Sequence, residues 1–167
     1  MSRAFVKEDN EALTGEELPE RPVSSEPNYV TPAGLESLRA KVEQLQAVHA
    51  QLKHDAEDLD RPKLIQIERD LRYFQSRLES AIPVSGAAHP HDEVRFGACV
   101  KTEDESGAVH TFTIVGEDEA DVANGKVSWQ SPLASALIGA GVGDTVTWDR
   151  PVGKTTLDVL DIDYPAG

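Results

Sequence analysis

Hydrophobic positions near the middle of the chain follow a helical period. From Leu35 onward they recur at alternating steps of three and four, the heptad spacing of a coiled-coil helix. The spacing resumes after Pro62, so the sequence predicts two helices joined by a turn of about four residues. Helices joined by so short a turn fold back on each other, which predicts an antiparallel helical hairpin. The seam positions are Leu35, Leu38, Val42, Leu45, His49, Leu52, Ala56 and Leu59 in the first helix, and Leu64, Ile67, Leu71, Phe74, Leu78 and Ala81 in the second.

The start of the first helix carries its own signals. Thr31 suits the N-cap position and Pro32 suits the first helical position. The residues before them are polar, contain several prolines and show no sustained period, so we predict a disordered or extended arm. The predicted division of the chain is an arm over residues 1–29, the hairpin over 30–83, a linker over 84–92 and a second domain over 93–167.

The last part of the chain changes to short alternating runs with turn signals between them. Val94, Phe96, Ala98 and Val100 alternate with polar or small residues, and four further runs beyond them also predict strands. One segment interrupts this pattern: Ser131 as N-cap, Pro132 at the first position and Gly139 as a stop predict a short helix. A small, mostly antiparallel sheet with one helix packed on it is an α+β domain.

Composition limits the classes of function. The 167 residues have a net charge of −14, and residues 84–167 carry fourteen acidic against five basic side chains. Nucleic-acid binders neutralise phosphates with Lys and Arg, so we expect no independent nucleic-acid binding and favour a protein partner or a metal. The single cysteine, Cys99, excludes an internal disulfide, and nothing in the sequence suggests a signal peptide or a membrane span. We therefore expect a soluble cytoplasmic protein that acts as a monomer.

An acidic stretch marks the turn of the predicted hairpin. In HDAEDLDRPK, Asp55, Glu57, Asp58 and Asp60 crowd the far end of the first helix. One interpretation is a solvated turn in which Asp60 caps the returning helix. The other is a functional tip, because carboxylates at the C-terminal end of a helix oppose its dipole and are locally unfavourable.

A family resemblance runs through the same sequence. The stretch from RFGACV to VTWDRP is similar to the C-terminal domain of the bacterial Gre transcription elongation factors, with IVGEDEAD, GKVS, SPLASALIG and VGD in order. YVTPAGLESLRAKVEQL resembles the opening of their coiled-coil hairpin. The resemblance covers about residues 29 to 165.

This resemblance implies a function. Gre factors dock on RNA polymerase through a C-terminal domain similar in fold to FK506-binding proteins, and insert the hairpin into the secondary channel. There, carboxylates at the hairpin tip help to hold an Mg²⁺ ion that is shared with the polymerase active site. The polymerase active site then cleaves backtracked RNA. Carried over to this chain, the catalytic and metal-binding candidates are Asp58 and Asp60, with no cofactor of the protein's own. The polymerase-binding candidates are Asp118, Glu119, Asp121, Ser131 and Pro132.

The tip departs from the family pattern. The family sequence is close to GDLKENAEY, whereas here the Glu position falls on Arg61 and the Asn position on Pro62. Each arm is also about one heptad shorter, which would withdraw the tip by roughly 10 Å. Stimulation of RNA cleavage therefore stays open, beside a non-cleaving channel-binding regulator of the Rnk type. A peptidyl-prolyl isomerase is a third alternative, disfavoured because it needs a pocket with several aromatic walls.

Overall fold

A computed structural model describes residues 18–54, 60–86 and 89–165. The chain divides into two units. The first consists of the described parts of residues 1–27 and 37–80, and the second of residues 28–36 and the described part of 81–167. Each unit is considered in turn.

The first unit is a helical hairpin, as the sequence predicted. Helix α1 spans Pro32–His54 and helix α2 spans Arg61–Ser80. His49, which fills the polar step of the seam, lies with its Nε2 3.0 Å from the Glu68 carboxylate, and the Lys41 ammonium lies 5.7 Å from the Phe74 ring centre. The later residue of α1, His49, meets the earlier residue of α2, and the earlier residue of α1, Lys41, meets the later one, which is the pairing of antiparallel helices. The first-helix seam residues Leu38, Val42 and Leu45 are buried.

Neither helix is suited to a bilayer. At 1.5 Å per residue, the 23 residues of α1 give a length of about 35 Å and the 20 residues of α2 about 30 Å. Within the described segments, however, no helix is both long and apolar enough to cross a membrane.

The second unit contains a five-stranded mixed sheet with the order β5-β4-β3-β7-β6. Its strands are β3 (Cys99–Asp104), β4 (Val109–Val115), β5 (Lys126–Ser128), β6 (Thr145–Arg150) and β7 (Gly153–Asp163). The predicted α+β class with a mostly antiparallel sheet is confirmed, and the exception among the strand pairs of this sheet is that β4 and β5 run parallel. The physical reason is that the chain crosses back over residues 116–125 before it enters β5, instead of turning directly into it.

A second, two-stranded sheet was not predicted. β1 (Tyr29–Val30) pairs in parallel with β2 (Ile82–Pro83). The sequence analysis placed Val30, Ile82 and Pro83 inside the hairpin. Two-residue strands carry too little periodicity to be recognised, and this pair joins segments more than fifty residues apart.

Helix α3 (Pro132–Leu137) covers the sheet and follows the predicted signals. The Ser131 hydroxyl accepts a hydrogen bond from the Ala134 amide at 3.2 Å, Pro132 opens the helix, and Gly139 follows it with a φ of 93°. Leu133, Ala134 and Leu137 enter the core. The sheet contributes Val100, Ile114, Leu157 and Val159 to the same cluster.

A β-bulge in β7 settles an ambiguity in its pattern. The sequence allowed either Val159 or Leu160 to face the core. Lys101 pairs with Asp161 and Thr102 with Val159, so Leu160 has no partner across the strand and its side chain is 38% exposed. The extra residue changes the side-chain phase, which lets Leu157 and Val159 on one side of it and Ile162 on the other all point inward.

The prediction of a strand from Val94 is wrong in its first half. Val94 and Ala98 are fully buried, but the regular strand begins only at Cys99. Gly97 has a φ of 86°, a left-handed conformation that interrupts a strand. The Val94 amide and carbonyl bond instead to the segment after α3, at Ala140 and Gly139.

The core predicts a contrast between two neighbouring residues. Leu137 is fully buried, whereas Ile138 is 41% exposed. We expect Leu137→Ala to lower the unfolding free energy of the second unit by about 2–5 kcal/mol, because it leaves a cavity, and Ile138→Ala to cost much less. Urea unfolding followed by tryptophan fluorescence measures this, since both tryptophans lie in the second unit. Equal losses for the two variants would contradict the packing described.

Candidate functional site

The predicted docking residues lie in the loop between β4 and β5 and at the start of α3. The loop forms two 3-10 turns, Glu117–Glu119 and Val122–Asn124. Its carboxylates have different environments: Glu119 is half-buried and bonded to the backbone, whereas Asp121 is exposed. They must therefore be considered separately.

Glu119 connects this loop to the segment that enters α1. One carboxylate oxygen accepts the amides of Gly116 at 2.9 Å and Thr31 at 3.1 Å, and the other accepts the Thr31 hydroxyl. We call these contacts the Glu119 latch. Thr31 at the same time caps α1, since its hydroxyl oxygen accepts the Gly34 amide at 3.0 Å. The charge of Glu119 is thus compensated by donors from two segments 88 residues apart in sequence.

Two glycines make room for the latch. A Cβ atom on Gly116 would overlap the backbone oxygen of Tyr29, and one on Gly34 would overlap the Glu119 carboxylate. Gly116 therefore allows a close backbone approach that a side chain would prevent, whereas a side chain at Gly34 would displace the Glu119 carboxylate from its donors. The bond of Thr31 to Glu119 and the close approach of Gly34 were not predicted from the sequence. The one local signal was the Gly-x-x-Glu spacing of Gly116 and Glu119, which is that of a capping box.

The remaining loop carboxylates are placed differently. Asp121 is exposed, and its carboxylate accepts the Asn124 side-chain amide at 2.6 Å. Asp118 is half-buried in the 3-10 turn before it. An ionised side chain at an exposed turn keeps most of its field available to a partner.

The start of α3 contributes the other two predicted docking residues, Ser131 and Pro132. Ser131 is half-buried and occupied as the N-cap, whereas Pro132 is exposed. Behind it, the Trp129 ring meets Tyr29 edge to face at 5.2 Å between ring centres, and Tyr29 lies 6.1 Å from Phe96. The Trp129 ring of this aromatic cluster thus lies three residues before Pro132 in the chain.

Within the hairpin tip, the structure describes Asp60 and the residues that follow it in α2. Asp60 is exposed, and its carboxylate accepts the Lys63 amide at 3.2 Å while its carbonyl accepts the Leu64 amide at 3.0 Å. Asp60 is therefore the N-cap of α2, as one of the two interpretations predicted. Asp58, with Asp55 and Glu57, lies outside the described residues. Arg61 and Lys63 follow Asp60 in the chain and are exposed.

Comparisons with known proteins cover both units. The family model "Transcription elongation factor, GreA/GreB, C-term" matches residues 89–164. The transcription elongation factor GreB of Neisseria meningitidis serogroup B is 33% identical over 153 residues, covering 82% of this chain and 94% of that protein. The chain belongs to the GreA/GreB family. A GreA of Francisella philomiragia is 35% identical over 156 residues, covering 81% of this chain and 95% of the relative.

Solved structures give a weaker likeness. GreA factor homolog 1 of Thermus thermophilus is 25% identical to this Gre-family chain and covers 83% of it and 99% of that structure, with a TM-score of 0.40. A score this low does not establish a common arrangement of the whole chain.

A cleft on the sheet bears on the isomerase alternative. The part of the sheet that carries Phe112 and Trp148 encloses about 390 Å³, and the two rings lie 6.3 Å apart at 71°. Among the described lining residues these are the two large aromatic rings, and both also pack against the core. Nothing further in the cleft favours isomerase chemistry in this Gre-family chain.

The latch predicts a stability effect. We expect Glu119→Gln to lower the unfolding free energy of the second unit by about 1–3 kcal/mol, because charge-assisted hydrogen bonds to Thr31 and Gly116 are weakened. Glu43→Gln makes the same change on an exposed face of α1 and serves as the control. Chemical unfolding of the two variants measures the difference. If Glu119→Gln were as stable as Glu43→Gln, the latch would contribute nothing.

Proposed function

We propose that this Gre-family protein docks on bacterial RNA polymerase in the cytoplasm through its second unit and inserts the helical hairpin into the secondary channel. There it modulates elongation or initiation as a monomer, without nucleic-acid specificity of its own. The observation that carries the proposal is the extent of the relationship. The match to GreB covers 82% of the chain, whereas residues 81–167 are only 87 of 167, so it must extend into the hairpin.

The docking surface is proposed to consist of the loop after β4 and the start of α3. Asp121 and Pro132 are exposed, and Asp118 and Ser131 lie next to them in the chain. The acidic excess of this unit suits a basic patch on the polymerase, and such complementarity mainly accelerates association. Glu119 is assigned a supporting role, because both its carboxylate oxygens are already bonded within the chain.

Whether the tip can help to hold an Mg²⁺ ion shared with the polymerase depends on the ligands that its residues offer. Magnesium takes oxygen ligands, and the described tip offers Asp60 beside Arg61 and Lys63. No group of three potential ligands occurs among the described residues. Because the other candidate ligand, Asp58, lies outside the described residues, the described part of the tip offers one carboxylate and we derive no step through the metal. We favour the non-cleaving alternative because Arg61 and Pro62 occupy the positions where the family tip has Glu and Asn. In that alternative the tip carboxylates Asp58 and Asp60 act by their negative field.

Docking is tested by charge reversal. We expect Asp118→Lys with Asp121→Lys to weaken the binding of the full chain to purified polymerase about tenfold or more at low salt. Asp163→Lys makes the same kind of change on an exposed residue of β7 and is the control. Fluorescence anisotropy titrations give the dissociation constants. Unchanged affinity of the double variant, or an equal loss with Asp163→Lys, would remove the loop from the interface.

The tip requires variants that separate its two roles. Asp60→Ser removes the carboxylate but keeps an N-cap, whereas Asp60→Ala removes both, which costs α2 about 1 kcal/mol. We expect the wild type not to stimulate transcript cleavage in a stalled, backtracked complex. We also expect Asp60→Ser, combined with Asp58→Ala, to lose most of the effect on initiation or pausing while polymerase binding persists.

Two results would contradict this account of the tip. Strong wild-type cleavage that disappears in the Asp58→Ala, Asp60→Ser variant would favour a cleavage factor. Wild-type regulation that survives the same variant would leave the tip carboxylates without a function.

A further inference from the structure

The segment before β1 contacts helix α2. The Glu20 carboxylate meets the Arg72 guanidinium through two nitrogens: Nη2 lies 2.5 Å from Oε1, and Nε lies 3.1 and 3.2 Å from the two oxygens. This is the bidentate geometry that Arg forms with carboxylates. The Arg72 hydrogen bond lowers the pKa of Glu20, so the pair is ionised at neutral pH.

The next residue makes a second set of contacts. The Arg21 guanidinium lies 4.0 Å from the centre of the Tyr73 ring and 5.1 Å from that of Phe74, and it donates to the Asp70 carboxylate at 3.4 Å. Tyr73 and Phe74 meet edge to face at 5.1 Å. Arg21 therefore covers the largest aromatic pair of the hairpin by cation–π contact.

The composition of the segment suits a bound but extended conformation. Pro19, Pro22 and Pro27 stiffen residues 18–27, and proline reduces the entropy that an extended chain loses when it is ordered. Residues 18–27 form no helix or strand. The side chains of Glu20 and Arg21 attach this segment to α2.

These attachments are weak enough to be reversible. The Glu20 and Arg72 side chains are 61% and 53% exposed, and pairs so exposed are strongly screened by salt. Arg21 and Asp70 are more buried, at 35% and 22%, but their contact is long at 3.4 Å. The segment is thus held by specific contacts that added ions compete with directly.

We propose that residues 18–27 form a releasable strap that covers the Tyr73–Phe74 face of α2 and detaches as ionic strength rises. With the strap attached, Arg72 is neutralised and the two rings are shielded. With the strap detached, the hairpin presents an aromatic pair beside a guanidinium that has lost its Glu20 partner. The strap is a conformational device of the hairpin alone and does not depend on polymerase binding.

Hydroxyl-radical footprinting with mass spectrometry tests the strap, because it reports the exposure of individual side chains in the full-length protein. At low salt, about 0.05 M, we expect Arg21→Ala and Glu20→Gln to raise the oxidation of Tyr73 and Phe74 roughly twofold or more. At about 1 M salt, where the Debye length is about 3 Å, the wild type should reach the level of the variants. Buried Tyr164, in the second unit, is the internal reference and should not change.

Two further variants sharpen the test. Glu26→Gln changes the same charge in the same segment, at an exposed position for which the structure shows no side-chain contact with α2, and should behave as the wild type. The paired exchange Glu20→Arg with Arg72→Glu restores the ion pair in reverse and should restore protection. Protection of Tyr73 and Phe74 that is the same in Arg21→Ala, Glu20→Gln and the wild type at low salt would overturn the strap. So would a rise accompanied by lost helical circular dichroism, which would indicate unfolding of α2.

Discussion

A single half-buried carboxylate holds together the part of this molecule on which the candidate site depends. Glu119 receives three hydrogen bonds, and its donors come from the turn after β4 and from the residue that begins α1. Because a carboxylate that leaves water needs such donors, the loop and the helix start are ordered together. The latch also determines which acidic residues remain for a partner: it uses Glu119 and leaves Asp121 exposed.

The two units differ in how they are packed and in the charge that they carry. The second unit has a closed core of small aliphatic residues under α3, and it carries most of the negative charge. The hairpin buries a seam that includes Leu38, Val42 and Leu45, and the polar pair of His49 and Glu68 joins its two helices. In the described part of the tip, the exposed residues Arg61 and Lys63 follow Asp60.

Local signals allowed much of the fold to be predicted, and long-range contacts account for what was missed. Helix α3 was predicted because Ser131, Pro132 and Gly139 are neighbours with fixed conformational preferences. The strand from Val94 was predicted wrongly, since alternation alone does not reveal that Gly97 adopts a left-handed conformation. The Glu119 latch and the contacts of Glu20 and Arg21 join residues 88 and about fifty positions apart, and no local pattern encodes them. The candidate site shows the same difference. The N-cap role of Asp60 was predicted from its position in the turn, whereas the hydrogen bonds of Glu119 are seen only in the folded chain.

The central claim is that the hairpin tip reaches the interior of RNA polymerase. The most direct measurement places an iron chelate at the tip through Asp60→Cys in a Cys99→Ser background, so that the label has a single thiol. Hydroxyl radicals released in the complex then cut the polymerase near the tip. The account predicts cuts in the polymerase segments that surround its catalytic metal, which disappear when unlabelled protein competes. Cuts confined to the outer surface of the polymerase, in a complex that forms with normal affinity, would contradict it.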